Sequence, residues 1–358
     1  MAKFRVTGIS FDHMHMGDLL RMVDEHPEAE IAGLFDPDAS KMQTAAQALG
    51  IPQDRLFTNF DACMDATKPD LAILCAAPAD HADYTERLAG YGTNVFVEKP
   101  FASSAADARR MIAAMEPTGK TKAINWPLAW VESHATAKRL LDEGVIGDLL
   151  EVHFYDGNRG PLYHLADKVE VTPEEVERQK PDSWWYKKAS GGGSLLDYLG
   201  YGATLGTWYM NGEAPLEVTC VVDEAAGIEV DQHSITICRY ARGLSKMETR
   251  WGTFTDPWTT QPQPTCGFVF VGSDGTIASA DYADHVTVQT RAKPEITAVP
   301  ADELPEGRRN GIEYVLGCLA SGAPVEGPLD PALCLTAQRI VDTAAASAAQ
   351  KRTLALLP

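Results

Sequence analysis

The sequence predicts an α/β half built on a doubly wound parallel sheet, followed by an α+β half with a large, open, predominantly antiparallel or mixed sheet. Three observations lead there. The first third alternates helical patterns with short runs that are apolar on both faces, as parallel strands covered by helices on two sides require. Beyond about residue 150 the rhythm changes to strands separated by turn signals, with little helix between them. The 358 residues, 45% of them hydrophobic, suffice for two domains sharing an interface.

The elements follow in order. "FRVTGI" reads as a strand, "MGDLLRMVDEH" as a helix, "AEIAGLFD" as a second strand and "ASKMQTAAQALG" as a helix closed by Gly50. "LAILCA" is a strand bounded by Pro78, "HADYTERLAGYG" a helix with Gly90 and Gly92 near its end, and "NVFVE" the next strand. "SAADARRMIAAMEPTG" is a helix stopped by Pro117 and Gly119, and "TKAINW" is a further strand. The boundary falls between Lys122 and Trp130, dividing the chain into 1–124 and 125–358. "VESHATAKRLLDEGVIGDLLEVHFYD" then gives an amphipathic helix, a Gly144/Gly147 turn and a strand. "LEVTCVVDEA", "SITICRYA", "SKMETRWGTF", "CGFVFVGSDGTIASA" and "HVTVQTR" supply the rest of the second sheet. "GIEYVLGCLASG" and "DPALCLTAQRIVDTAAASAAQKR" return to helical periodicity, and these helices are expected to pack back on the first half.

A formal net charge of −19 makes the surface repel polyanions, so neither nucleic acid nor an anionic membrane is an expected partner. Seven cysteines without any C-x-x-C pair point to reduced thiols in a cytoplasmic protein rather than to a disulfide scaffold or zinc site. "MAKFRVTGIS" turns polar too soon for a secretory signal, and no apolar run reaches the length of a membrane span.

A Rossmann dinucleotide fold carries G-x-G-x-x-G after its first strand and, further on, an acid for the ribose hydroxyls. Here the glycine pattern is half present. Gly8 follows "FRVT", but "GISFDH" puts Ser10 at the second glycine and His13 at the third, with Phe11 between them. Serine admits close approach of the pyrophosphate at some steric cost. His13 either pushes the following helix off the strand or points its imidazole at the cofactor. In "GLFDPD", Asp36 stands where a carboxylate accepts from the adenosine ribose and repels a 2′-phosphate, which favours NAD(H) over NADP(H). The alternative is that Asp36 only caps the turn before the helix at Ala39. "DHMH" sets His13 and His15 two apart, but no second ligand pair lies at a convincing spacing. No metal is therefore expected, and the pair reads as the flank of a phosphate loop.

"VEKP" in the first half, taken with "SGGGSLLDYLGYG" in the second, resembles the Gfo/Idh/MocA family of two-domain oxidoreductases over nearly the whole chain. The resemblance implies that Lys99 lies beside the nicotinamide and the substrate, that the Glu98–Lys99 peptide approaches the cofactor, and that Pro100 follows in cis. In the family motif G-G-x-x-x-D-x-x-x-H the Asp corresponds to Asp197. The His position holds Tyr201, as in the branch similar to glucose–fructose oxidoreductase and dihydrodiol dehydrogenase. It implies further that Ala76, Pro78 and His81 of "AAPADHADY" contact the cofactor. Trp185 of "WWYKKASGGG" matches a Trp near the nicotinamide, with Tyr186 or Lys187 in place of an Arg. Trp126 and Trp130 of "NWPLAW" are candidates for the substrate pocket, against a plain core role. Tyr155, with His153, Arg159 and His164, extends that group. A homodimer or homotetramer through the open sheet is also implied.

The implied reaction is hydride transfer between NAD(H) and a secondary alcohol or ketone of a sugar, cyclitol or related polyol. Lys99 serves as acid/base, Asp197 holds a neighbouring hydroxyl, and Tyr201 bonds the reacting oxygen or tunes Lys99. A phenol with a pKa of about 10 is a poor base unless a cation such as Lys99 lowers it. Adjacent strand residues point to opposite faces, so Glu98 and Lys99 are not expected to pair with each other. Two other readings use the same residues: redox-assisted glycoside or ether cleavage with NAD recycled, and a catalytically silent NAD-binding sensor or scaffold.

Overall fold

The computed structural model describes residues 3–163, 170–223 and 227–358. Its first sheet has six parallel strands: β1 (Phe4–Ile9), β2 (Ala29–Phe35), β3 (Leu56–Phe57), β4 (Leu71–Leu74), β5 (Asn94–Glu98) and β6 (Lys122–Asn125). They lie in the order β3-β2-β1-β4-β5-β6. Helices α1 (His15–Glu25), α2 (Ala39–Ala48), α3 (Phe60–Thr67), α4 (His81–Gly90) and α5 (Ala105–Met115) make the crossovers. Covered on both faces, β4 and most of β5 are buried at every residue, which explains their unbroken apolar runs. The order reverses between β1 and β4, and that switch point opens a crevice at the carboxyl ends of the strands. The sequence reading missed β3 and α3, because a two-residue strand carries no period and an eight-residue helix little more.

The second sheet is mixed. It takes the order β14-β13-β12-β11-β7-β10-β9-β8-β15. Its strands are β7 (Leu149–Asn158), β8 (Glu217–Val222), β9 (His233–Arg239), β10 (Leu244–Trp251), β11 (Gly267–Gly272), β12 (Gly275–Ala280), β13 (His285–Thr290), β14 (Thr297–Pro300) and β15 (Leu354–Ala355). Only β7 and β10 pair in parallel; the other neighbours are antiparallel. One face is buried and the other open, so β9 alternates buried Ser234, Thr236 and Cys238 with exposed Ile235 and Ile237.

Helices α6 (Glu132–Asp142), α7 (Pro173–Gln179), α8 (Ser194–Tyr209), α9 (Gly311–Ser321) and α10 (Pro331–Gln350) complete the chain. The inner face of the sheet is covered by α8, which is buried along nearly its whole length. At Gly202 a Cβ would fall 2.5 Å from the Phe154 ring, so only glycine lets α8 close on β7 at that point. Behind it, α10 packs on α8 and reaches the first half, where the Ala105 amide donates to Asp342 Oδ2 at 2.7 Å. No helix among the described residues is long and apolar enough to cross a membrane. All seven cysteines are buried, and none is joined in a disulfide.

Candidate active site

The loop after β1 is shaped by close approach. A Cβ at Gly8 would meet Met16 Sδ at 3.0 Å and Leu34 Cδ2 at 3.2 Å, so the absent side chain is what seats α1 against β1 and β2. Ser10 holds φ at +61°, the left-handed conformation that a glycine would adopt freely. Its hydroxyl donates to Asp12 Oδ2, which also accepts from the Ala77 amide and so ties this loop to the one after β4. With its strand order, its switch-point crevice and this left-handed loop, the first half fits a dinucleotide.

Asp36 is turned inward. Oδ2 accepts from the Phe11 amide and Oδ1 from the Asp38 amide, both at 2.8 Å, and the side chain is fully buried. Asp36 thus fixes the nucleotide loop through these two amides. The short side chain, in a turn before Pro37, is drawn to the nearest backbone donors. The helix itself is capped by Asp38, which accepts from the Ser40 amide.

Lys99 extends β5 by one residue, before a cis bond to Pro100, and lines a cleft of about 810 Å³ between the two sheets. Its amine bonds Asp197 Oδ1, and both side chains are almost fully buried. Asp197 is the fourth residue of α8, whose first turn is pinned by Asp231: Oδ2 accepts from the Ser194 hydroxyl at 2.6 Å and the Leu195 amide at 2.8 Å. The indole of Trp251, at the end of β10, donates to Asp197 Oδ2 at 3.1 Å. Aromatic rings of Trp185, Tyr198 and Tyr201 surround the amine at 5.5 to 5.8 Å from their centroids, within range of cation–π attraction. As strand alternation requires, Lys99 does not pair with Glu98.

Glu98 is fully buried on the other side of the strand. Asn125, its register partner at the end of β6, donates to Oε2 at 2.7 Å, and His15 Nδ1 lies 2.7 Å from Oε1. His13 Nε2 is 3.9 Å from the same Oε1, too far for a hydrogen bond, and has no partner although the ring is buried. Burial, with His15 and Lys99 nearby, holds the His13 imidazole well below its ordinary pKa, so the ring is neutral.

Part of the cleft wall is made of residues outside the expected set. Asp156, Asn158 and Tyr198 line it, and Asn158 Nδ2 donates to the Tyr198 oxygen. Burial raises Asp156 well above the usual carboxylate range, with the Asp281 and Asp197 carboxylates adding to it.

Several expected residues sit elsewhere. Tyr155 and His153 share the outer face of the second sheet with Ile235, Ile237 and Val269, one residue out of step with Asp156. Trp126 is core: it packs edge-on against Tyr201 and donates to Cys334 Sγ at 3.4 Å, while Trp130 lines the cleft. His81 is buried between the Ala76 and Phe101 carbonyl oxygens and bridges two loops instead of facing a ligand. Pro78 packs against the Gly191 turn. Trp185 lines the cleft, whereas Tyr186 packs on Trp251 and Lys187 does not line it. Arg159 is held by Asp256 and Glu170, and His164 lies outside the described residues. Tyr201 does line the cleft, and burial, helped by Glu98, Asp197 and Asp156, pushes its phenol well above the ordinary value.

Comparison with known proteins places this geometry. Over 119 residues, 33% of this chain and 31% of the relative, the sequence is 33% identical to the D-apiose dehydrogenase of Paraburkholderia graminis. Over 167 residues it is 26% identical to the inositol 2-dehydrogenase of Salmonella typhimurium, covering 46% of this chain and 48% of that one. The chain thus matches less than half the length of each of these curated relatives. The fold of aldose-aldose oxidoreductase from Caulobacter crescentus superposes with a TM-score of 0.79 at 19% identity, covering 99% of this chain and 100% of that one. A levoglucosan dehydrogenase superposes at 0.77 with 16% identity, over 99% and 100% of the two chains. Residues 4–125 match the oxidoreductase family's NAD-binding Rossmann fold and residues 134–278 match the GFO/IDH/MocA C-terminal domain. With both halves matched in order and the EKP lysine meeting the aspartate of the glycine motif in one cleft, the chain belongs to the Gfo/Idh/MocA oxidoreductase family.

Proposed function

We propose that this protein is an NAD(H)-dependent oxidoreductase that moves a hydride between its cofactor and a secondary alcohol or ketone of a sugar, cyclitol or related polyol. Residues 1–124 hold the cofactor and 125–358 the substrate. The observation that carries the reading is the buried Lys99–Asp197 pair at the wall of the cleft. The loop from Gly8 through Ser10 and Phe11 to His13, with Trp185, holds the dinucleotide, and the carboxylates of Asp36 and Asp38 disfavour a 2′-phosphate there. When bound, the nicotinamide accepts or returns the hydride.

The protein's own part is proton management and positioning. In reduction the Lys99 ammonium gives its proton to the carbonyl oxygen; in oxidation the amine takes the proton from the hydroxyl. Asp197 stabilises the ammonium, and the Trp251 indole fixes the carboxylate so that the amine stays aimed into the cleft. Tyr201 donates to an oxygen of the substrate and does not act as a base. Asp156, whose proton burial holds more tightly, donates to a second hydroxyl, and Asn158 extends that polar wall, as a polyol with several hydroxyls requires. The outer face of the second sheet, with exposed Val221, Ile235, Ile237 and Val269, supports self-association through that face.

The test is to follow nicotinamide absorbance with purified protein across a panel of aldoses, cyclitols and their keto forms, with Lys99→Ala as the control. Turnover in the wild type and its loss in the variant is the expected result. Full turnover by Lys99→Ala, or none by the wild type across the panel, would sink the proposal.

A further inference from the structure

We propose that His13, His15 and Glu98 form a binding site for a divalent transition metal of the zinc class at the floor of the cleft. Their ligand atoms all lie within 4.8 Å of one another. Glu98 Oε1 is 2.7 Å from His15 Nδ1 and 3.9 Å from His13 Nε2. Tetrahedral ligands at zinc–nitrogen and zinc–oxygen distances stand about 3.3 Å apart, so the shorter contact opens and the longer one closes by roughly 0.6 Å each. Two imidazoles with one carboxylate suit zinc, cobalt or nickel better than calcium or magnesium, which prefer oxygen alone.

Three further features fit a ligand set. His13 is only 2% exposed, yet its Nε2 has no partner and the ring lines the cleft, so a buried nitrogen waits for a ligand. Glu98 has no exposed surface, and the Asn125 amide orients it through Oε2, leaving Oε1 for a cation; ligating carboxylates are characteristically held this way. Asp197 supplies the counter-charge of the nearby Lys99, and Glu98 Oε1 faces the two imidazoles instead. Coordination through Nε2 puts the remaining His13 proton on Nδ1, so the 3.2 Å bond that Nδ1 accepts from the His15 amide is given up. Three protein ligands leave an open position, and because His13 and His15 line the cleft, water or a ligand hydroxyl or carboxylate supplies the fourth oxygen from there. Neither metal binding nor its measurement depends on the hydride-transfer reading.

The experiment uses the full chain, stripped with a chelator and titrated with Zn(II) by calorimetry and with Co(II) by visible absorption. The expected result is one equivalent of Zn(II) bound with Kd below about 1 µM, together with Co(II) d–d bands of a four- or five-coordinate site. His15 is the ligand that is partly exposed, so His15→Ala is the variant that best keeps the fold, checked by circular dichroism; it should weaken binding at least about 100-fold. Asn125→Ala should weaken it about 10–100-fold. His153→Ala and His233→Ala, at histidines outside the cleft, should leave binding unchanged. Binding below one-tenth of an equivalent, or affinity unaltered in folded His15→Ala, would overturn the proposal.

Discussion

Lys99 and Asp197 are 98 residues apart and belong to different sheets' layers, yet their side chains meet in a buried ion pair, and Trp251 grips the far oxygen of the carboxylate at 3.1 Å. One charge comes from the carboxyl end of a parallel strand and the other from the first turn of a helix. Neither is neutralised by its own half of the molecule. The cleft is therefore where the two halves complete each other electrically.

Removing the amine should abolish chemistry more than binding. Lys99→Ala is expected to lower kcat by about 10²–10⁴-fold, the range for loss of a positioned acid/base, with a smaller change in KM. Steady-state kinetics on the best substrate of the panel, with circular dichroism to verify folding, checks this.

Removing only the carboxylate leaves a buried ammonium without a counter-charge. Asp197→Ala should cost about 3–5 kcal/mol of stability, read by urea unfolding. The double variant Lys99→Met/Asp197→Leu should recover most of that, because two apolar side chains of similar size replace the pair. A double variant as unstable as the single one would refute the pairing as the cause.

For Tyr201, a raised phenol pKa makes a specific demand on kinetics. Tyr201→Phe should reduce kcat/KM by no more than about 10–100-fold, the scale of about 1.5–3 kcal/mol for a hydrogen bond to a developing charge. The pH–rate profile should keep both of its limbs. Loss of a limb in the variant would make Tyr201 the titrating base after all.

Asp156 gives stability a slope with pH. Its folded-state pKa is raised, so the folded protein binds this proton more tightly than the unfolded chain does. Its contribution is fully present below about pH 4, the unfolded value, and is lost as pH rises from there through the folded-state value. Asp156→Asn removes that loss. Relative to wild type the variant should gain about 1–3 kcal/mol at pH 8 and little at pH 4, as thermal unfolding at the two pH values would reveal.

The outer face of the second sheet can be probed in the same direct way. Ile235→Lys/Ile237→Lys places two charges on its exposed row, and the expected outcome is a smaller species by light scattering after size exclusion, with an unchanged circular dichroism spectrum. An identical mass for both proteins would remove this face as the contact.

What the sequence made legible was whatever a short pattern can carry. Lys99 and Asp197 sit in compact motifs, and Trp185 lies a few residues before the glycines, so the family resemblance those motifs carry could point all three to one site. Asp156 is a matter of parity: on a strand one position decides the face, and the letters do not say whether Tyr155 or Asp156 turns inward. His13 and His15 were visible as a pair, but Glu98 joins them from 83 residues away, a distance that no spacing rule spans. At Asp36 the residue type and place were readable while the direction of its oxygens was not, because that depends on which backbone amides the turn brings within reach.

Trp184 donates its indole N–H to the Asp12 carbonyl at 2.9 Å and stacks on Trp185 at 3.7 Å between ring centroids. One ring thus rests on the nucleotide loop and the other on the cleft, with their π-systems in contact. A ligand arriving in either compartment is therefore expected to change the emission of this pair, and Trp184→Phe and Trp185→Phe variants separate that change from the signal of the other tryptophans.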